Sequence, residues 1–321
     1  MNVLITGGAG YIGSDLLHVL AGTDGLQLGR VRVLDNMQEE KYQALMNLPE
    51  GVEYDFVLGD IRNEEDVRRA IGDDTNTVIH LAALTNATLS FERQEATELT
   101  NHVGTQNIVR AVQDTPSVNR LIYASTTSVY GPTSGIVTEE SECKPASPYG
   151  VFKLKGEQDV LALPKVTNGR VKSTALRFAT VYGYSAGLRV HTVVNIFAFR
   201  AAVGIPLEVF GSGEQKRPYI HVRDVARALA FCLKEPRTED GLFNVVGQNG
   251  SVNDILALIE PRFPKLKVVH TNREILNQIS YEVDGSKLYS LGYSPELTLE
   301  DGINEFARLY GAFTRQPIAV A

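Results

Sequence analysis

A doubly wound parallel α/β sheet is the architecture this sequence predicts, and three observations predict it. At the start, in Asn2-Val3-Leu4-Ile5-Thr6-Gly7-Gly8-Ala9-Gly10-Tyr11-Ile12-Gly13-Ser14, an apolar run breaks into glycines and then resumes with helical spacing. Short apolar runs and helical patterns alternate through the first half, the rhythm of strands joined in parallel by helices. The second such run, Arg30-Val31-Arg32-Val33-Leu34-Asp35-Asn36, ends in an acid ~20 residues beyond the glycines.

A strand that delivers its C-terminal end to a helix N-terminus leaves backbone N–H groups outward with the positive end of the helix dipole behind them, which suits a pyrophosphate. Gly7 would make the sharp turn, Gly10 would let phosphates approach the backbone, and Gly13 would let helix and strand pack closely. Tyr11 and Ile12 belong to the same phosphate-facing turn. Taken alone, a glycine triplet is also consistent with an ordinary βα turn. Asp35, at the tip of the second strand, could accept both hydroxyls of an adenosine ribose, with Asn36 beside it. Its charge would repel a 2′-phosphate, and no Arg follows in Asn36-Met37-Gln38-Glu39-Glu40, so NAD is expected rather than NADP.

Composition bounds the remaining possibilities. The 321 residues, 43% of them hydrophobic, suffice for one large or two modest domains. Net charge is −7 with no block of Lys or Arg, so neither nucleic acid nor an anionic membrane is an expected partner. The sequence enters its first strand without a basic and apolar leader, and no run approaches ~18 apolar residues, so a soluble, cytoplasmic protein is expected. Cys143 and Cys232 stand far apart, which suggests neither a disulfide framework nor a metal site.

The next strand, Tyr54 to Leu58, closes in Gly59-Asp60-Ile61-Arg62, where Asp60 and Ile61 could hold the edge and face of an adenine or form a plain turn. A helix follows at about Glu64 to Ile71. Thr77-Val78-Ile79-His80-Leu81-Ala82-Ala83 reads as the fourth strand, with Leu81, Ala82 and Ala83 allowing close approach of a cofactor and His80 packed. Asn101 lies in a helical stretch from about Glu95 to Gln113 and needs a buried partner there. The fifth strand begins at Arg120 and ends in four hydroxyl residues, Ser125-Thr126-Thr127-Ser128. Ser147-Pro148-Tyr149 then opens a helix that puts Tyr149 and Lys153 on one face. An ammonium there lowers the phenol's pKa, which makes Tyr149 a candidate general base, with Thr126 sharing the substrate proton. In isolation such a pair reads as an exposed helical pair; downstream of a dinucleotide turn it reads as catalytic.

Together, Thr6-Gly7-Gly8-Ala9-Gly10-Tyr11-Ile12-Gly13, Asp35, Asp60-Ile61, His80 to Ala83, Asn101, Thr126 and Tyr149 with Lys153 resemble the extended short-chain dehydrogenase/reductase family. Within it the likeness is to the NAD-dependent epimerases and dehydratases of nucleotide sugars, and it covers essentially the whole chain. The resemblance implies a Rossmann domain over 1–176 with 216–238 packing back onto it, and a smaller C-terminal α/β substrate domain over 177–321. It also implies tightly held NAD, a nucleoside-diphosphate sugar as substrate, and a homodimer through the helices beginning near Asn101 and Tyr149. By the same resemblance, Asn195 sits at a helix start that meets the diphosphate. Phe210 covers the base or belongs to the core, and Arg217 grips a phosphate. Arg189 and Arg273 are further candidates that read equally as surface charges, and His221 is structural.

The departures from the family's pattern are equally informative. Dehydratases of the family place an Asp-Glu pair directly after the strand-end Thr, where this chain has Thr127 and Ser128, which argues against 4,6-dehydration. Ala179 stands where many 4-epimerases carry Asn, so the sugar pocket differs from theirs. Cys143 lacks an activating neighbour and reads as a spectator. A C4 epimerase is the leading expectation. A net 4-oxidase or 4-ketoreductase, or an atypical dehydratase, is not separated from it by sequence. Retention of Thr126, Tyr149 and Lys153 speaks against a non-catalytic NAD-binding regulator.

Overall fold

In the computed structural model, which describes residues 1–133, 135–263, 266–271 and 280–313, the alternating runs assemble into a parallel sheet of seven strands. In chain order these are β1 (Val3–Thr6), β2 (Arg30–Asp35), β3 (Glu53–Leu58), β4 (Thr77–His80), β5 (Arg120–Thr126), β6 (Lys172–Phe178) and β7 (Gly241–Val245). Their order across the sheet is β7-β6-β5-β4-β1-β2-β3, every neighbour parallel. This is the expected doubly wound Rossmann arrangement. The winding reverses between β1 and β4, and the reversal opens a crevice at the carboxyl ends of the strands.

Side chains alternate along a strand, and helices cover both faces, so the buried strands read as nearly continuous apolar runs. Val3 and Ile5 enter the core on one face with Leu16, Leu17 and Leu20 of helix Tyr11–Ala21. Leu4 enters the opposite core with Val67 and Ile71 of helix Glu64–Ile71 and Ile108 and Val112 of helix Gly104–Asp114. The helix expected over 95–113 forms as Gln94–Glu98 and Gly104–Asp114, joined by a π turn over Leu99–Val103.

In the C-terminal part, Lys216–His221 is the middle strand of a three-stranded sheet, parallel to Thr180–Tyr182 and antiparallel to Gln248–Ser251. Helices Val193–Val203, Val252–Ile259 and Leu299–Leu309 pack around Tyr182, Phe197, Ile255 and Ile303. The chain returns to the main sheet further than a boundary at 176 with a return over 216–238 would allow. Helix Val222–Lys234 lies against helix Tyr11–Ala21, and β7 then pairs with β6. Burial of Phe243 and Val245 in the same core as Val3 draws that strand back.

No helix among the described residues is long and apolar enough to cross a membrane. Among the same residues no group of His, Cys, Asp and Glu could hold a metal ion.

Candidate active site

A cleft of about 550 Å³ opens at the sheet's switch point. Gly7, Gly10, Tyr11 and Ile12 line it, as do Asp35, Asn36, Asp60, Ile61 and the segment Leu81 to Ala83. Thr126, Tyr149, Lys153 and Arg189 complete it. Folding therefore brings nearly all of the expected cofactor residues and all three expected catalytic residues to one cavity.

At the dinucleotide end, Gly7 has φ +70°, and a Cβ there would stand 2.7 Å from the Ala82 amide nitrogen. Only glycine satisfies both the left-handed backbone and this approach. The Asp35 carboxylate accepts the Ala9 N–H at 3.0 Å on one oxygen and the Met37 N–H at 2.9 Å on the other. Burial nonetheless raises its pKa. Each oxygen retains a further lone pair for a ribose hydroxyl. The nearby Lys41 ammonium is paired with Glu39. Asn36 donates to Asp60 at 3.0 Å, and Arg62 donates to both oxygens of the same carboxylate. Burial alone would raise the Asp60 pKa, yet these bonds hold it at about 2. The open glycine turn and the acid at the tip of β2 fit the diphosphate and ribose of a dinucleotide.

Two of the expected site residues spend their side chains on the protein itself. Asn101 is buried in the π turn and spends its amide on the backbone of Leu84, accepting its N–H and donating to its C=O, both at 2.8 Å. It thereby steers the chain away from the sheet, so that β4 stops at His80 rather than running to Ala83. Asn195 is fully buried. Its amide accepts from the Gly183 N–H and donates to the Tyr11 hydroxyl and the Arg189 carbonyl, which leaves neither N–H for a diphosphate.

At the catalytic end, helix Pro148–Leu161 is capped by Ser147, whose Oγ accepts the Gly150 N–H at 3.2 Å. The Tyr149 amide donates to Ser90 Oγ at 3.1 Å, which anchors the helix start against the cleft. Burial raises the Tyr149 pKa, opposed by a hydrogen bond with Thr126 and by the charge of half-buried Arg189. Lys153 is pushed down to about 7 by burial, opposed by Glu157. Its Nζ stands 4.0 Å from the centre of the Tyr123 ring. Arg189 thus joins the Lys153 anticipated from helical spacing as a cation at this end of the cleft.

Thr126, Thr127, Ser128, Ala179 and Thr180 also line this end. Thr127 Oγ1 meets the Tyr281 hydroxyl at 3.3 Å, and the Arg217 guanidinium lies 5.4 Å from the centre of the Tyr281 ring. Arg217 is therefore one residue removed from the cleft and does not line it. Phe210 does not line it either, its strand Leu207–Phe210 pairing with Val268–Thr271. Arg273 lies outside the described residues. His80 packs as expected, with Thr6 Oγ1 at 2.7 Å and Thr105 Oγ1 at 3.1 Å, and burial pushes its pKa down to about 3. His221 is buried 3.2 Å from Glu305, outside the cleft. Cys143 lies outside the cleft as well, and burial raises its thiol pKa.

Sequence reasoning missed the support behind this end. Glu157 forms a buried two-bond ion pair with Arg177, at 2.6 and 3.0 Å, and accepts the Ser125 hydroxyl at 2.5 Å. Its position on the Tyr149–Lys153 face was readable from helical spacing. Arg177 and Tyr281 arrive from distant segments and carried no such signal.

The fold and the cleft together define a dinucleotide-binding enzyme class, with Thr126, Tyr149 and Lys153 brought to one cavity. Residues 3–246 match the NAD dependent epimerase/dehydratase family; the chain belongs to that family, and NAD is its cofactor. An uncharacterised UDP-glucose epimerase of Bacillus subtilis is 28% identical, over 96% of this chain and 98% of the relative. A dTDP-glucose 4,6-dehydratase of Streptomyces niveus is also 28% identical, over 97% and 93%. Among solved structures, a UDP-glucuronic acid 4-epimerase of Bacillus cereus in complex with UDP-glucuronic acid and NAD superposes with a TM-score of 0.87. It is 27% identical, with 97% of this chain and 99% of the other covered.

Proposed function

We propose that this chain is a 4-epimerase of a nucleoside-diphosphate sugar, with a uridine diphosphate hexose as its substrate. The observation that carries the reading is the set of side chains around the end of β5. Tyr149 faces Thr126, while Thr127 and Ser128 stand where elimination of water needs an acid and a base. The carboxylates among the cleft-lining residues, Asp35, Glu39 and Asp60, come from the tips of β2 and β3 and the loop between them. Bound NAD supplies a reversible hydride acceptor. Tyr149 takes the proton of the sugar 4-hydroxyl, Thr126 shares the hydrogen bond, and a 4-keto sugar results. The small side chains of Ala82, Ala83, Thr127 and Ala179 leave room for it to turn before C4 is reduced on its other face. Arg189, which lines the cleft, is suited to hold the diphosphate.

A second feature favours recycling of the cofactor over its exchange in each turnover. The segment after Tyr182 is tied to the first helix: Tyr11 donates to the Gly183 carbonyl at 2.5 Å, and Ser185 donates to the Tyr11 carbonyl at 2.8 Å. Opening the glycine turn requires parting these bonds. The names of the relatives make UDP-glucose and UDP-glucuronic acid the first compounds to test. Incubation in heavy water should give inversion at C4 with no solvent deuterium there. Deuterium at C3 or C5, or loss of water from the sugar, would overturn the reading. The same proposal includes a cytoplasmic homodimer through helices Gln94–Asp114 and Pro148–Leu161. Leu89 and Phe91, on the segment leading into the first of these helices, and Leu99, in its π turn, are exposed. Sedimentation giving a monomer would remove the dimer.

A further inference from the structure

Tyr149, Lys153 and Glu157 follow one another at intervals of four on helix Pro148–Leu161, so they stack on one face with successive Cβ atoms ~5–6 Å apart. All three are at least nine-tenths buried, Glu157 and Lys153 almost completely. A buried glutamate requires a reason, and its partners supply one. Ser125, which donates to it, immediately precedes Thr126 on β5, and Arg177, which grips both of its oxygens, lies on the neighbouring β6.

We propose that Glu157 is a positioning residue for the Tyr149–Lys153 centre, its carboxylate favouring the charged form of Lys153 one helical turn away and pinning the strand end that carries Thr126 to the helix that carries Tyr149. The inference rests on the epimerase reading only for the identity of the reaction it serves.

The charges around Lys153 make the role specific. Along its own helix it has Tyr149 on one side and Glu157 on the other. From the sheet it faces the ring of Tyr123, and its positive charge helps keep His80 on β4 neutral. The acid acting on it is Glu157, while burial works against its charge. Arg177 binds the same carboxylate but continues outward to the Tyr130 hydroxyl at 3.0 Å, and Tyr130 in turn donates to Asn244. Glu157 is thus the junction between the cleft and a polar network that reaches Asn244 on β7. A purely structural ion pair would hold β5, β6 and the helix together with no effect on Lys153. A positioning carboxylate does both.

The test uses the protein with its bound NAD and 13C-labelled lysine, the Lys153 resonance being assigned by its loss in Lys153→Met. In Glu157→Gln the titration midpoint of Lys153 should fall by about 1–2 pH units. Glu157→Asp, which keeps the charge, should recover at least part of that shift. In Glu157→Gln/Arg177→Met both members of the buried pair are neutral. This variant should regain thermal stability while the Lys153 midpoint stays low, and it carries the measurement should Glu157→Gln alone not fold. An unmoved Lys153 in Glu157→Gln, or a midpoint that returns together with stability in the double variant, would overturn the proposal. With a nucleotide sugar that is turned over, Glu157→Gln should lose roughly tenfold or more in kcat at neutral pH with little change in KM. If no nucleotide sugar is turned over by the unaltered protein, the epimerase reading fails while the lysine titration still decides this one.

Discussion

The Gly187 amide donates to the Ser14 hydroxyl at 3.0 Å, joining the segment that enters the C-terminal part to the first turn of the dinucleotide helix. At this contact a Cβ on Gly187 would stand 2.4 Å from the Gly10 carbonyl oxygen, a backbone atom that cannot swing aside. Gly187→Ala should therefore lift the segment from the glycine turn. The cost of such overpacking is typically ~1–3 kcal/mol. A lowered melting temperature and faster release of NAD are the expected results, measured by calorimetry and by dilution of the loaded protein. Unchanged retention of NAD would show that the contact does not guard the cofactor.

Asp35 should make the protein prefer NAD to NADP at least about tenfold, since a buried charge mismatch or unpaired hydroxyl is worth on the order of 1–3 kcal/mol. Asp35→Ala should narrow that gap. The same change leaves the Ala9 and Met37 N–H groups without their acceptor, so stability should fall as well. Titration calorimetry showing equal affinity of the unaltered protein for both cofactors would refute the assignment.

Tyr149→Phe keeps the ring and removes the base. Activity should drop by roughly 10²–10⁴ while NAD remains bound, and Thr126→Ala should cost less. Retention of full activity by the phenylalanine variant would exclude Tyr149 as the base.

Arg189 contributes a positive charge that lowers the Tyr149 pKa. In Arg189→Met the phenolate loses that support, so the acidic limb of the kcat profile should move to higher pH. If the guanidinium also binds diphosphate, KM should rise about tenfold to a hundredfold, the range expected for a lost charged hydrogen bond of ~1.5–3 kcal/mol. A displaced limb with unchanged KM would confine Arg189 to tuning the base.

In protein freed of NAD, burial holds Lys153 at about 7, well below the ordinary lysine value. The unfolded chain then binds more protons at this site between about pH 7 and ~10.4, so this group makes stability rise as pH rises through that window. Its slope is at most about 1.4 kcal/mol per pH unit. Urea titrations should show Lys153→Met gaining most over the unaltered protein at pH 7 and below, with the advantage shrinking as pH rises. A constant difference between the two proteins from pH 6.5 to 9.5 would contradict a depressed Lys153.

The sequence by itself determined the parallel sheet, the glycine turn, the acid at the tip of β2, and the helix carrying Tyr149 and Lys153. Each of these is written in local periodicity or in a spacing of a few residues along one element. Only the tertiary structure decided which groups surround them. Asn195 was placed at the diphosphate by resemblance, and Asn101 needed a buried partner; the fold supplies partners for both amides from Leu84, Gly183, Tyr11 and the Arg189 backbone. Arg189 comes to line the same cleft as Tyr149, and Arg177 reaches Glu157, through loop closure and strand order rather than through pattern. β7 was hidden for the same reason, since a short strand pairs wherever its apolar face finds a core, and for Gly241–Val245 that core joins Val3 and Ile5 from the start of the chain to Leu176 and Val225. Helical and strand periods are local properties of a chain. Charge on a buried phenol is a property of everything packed against it.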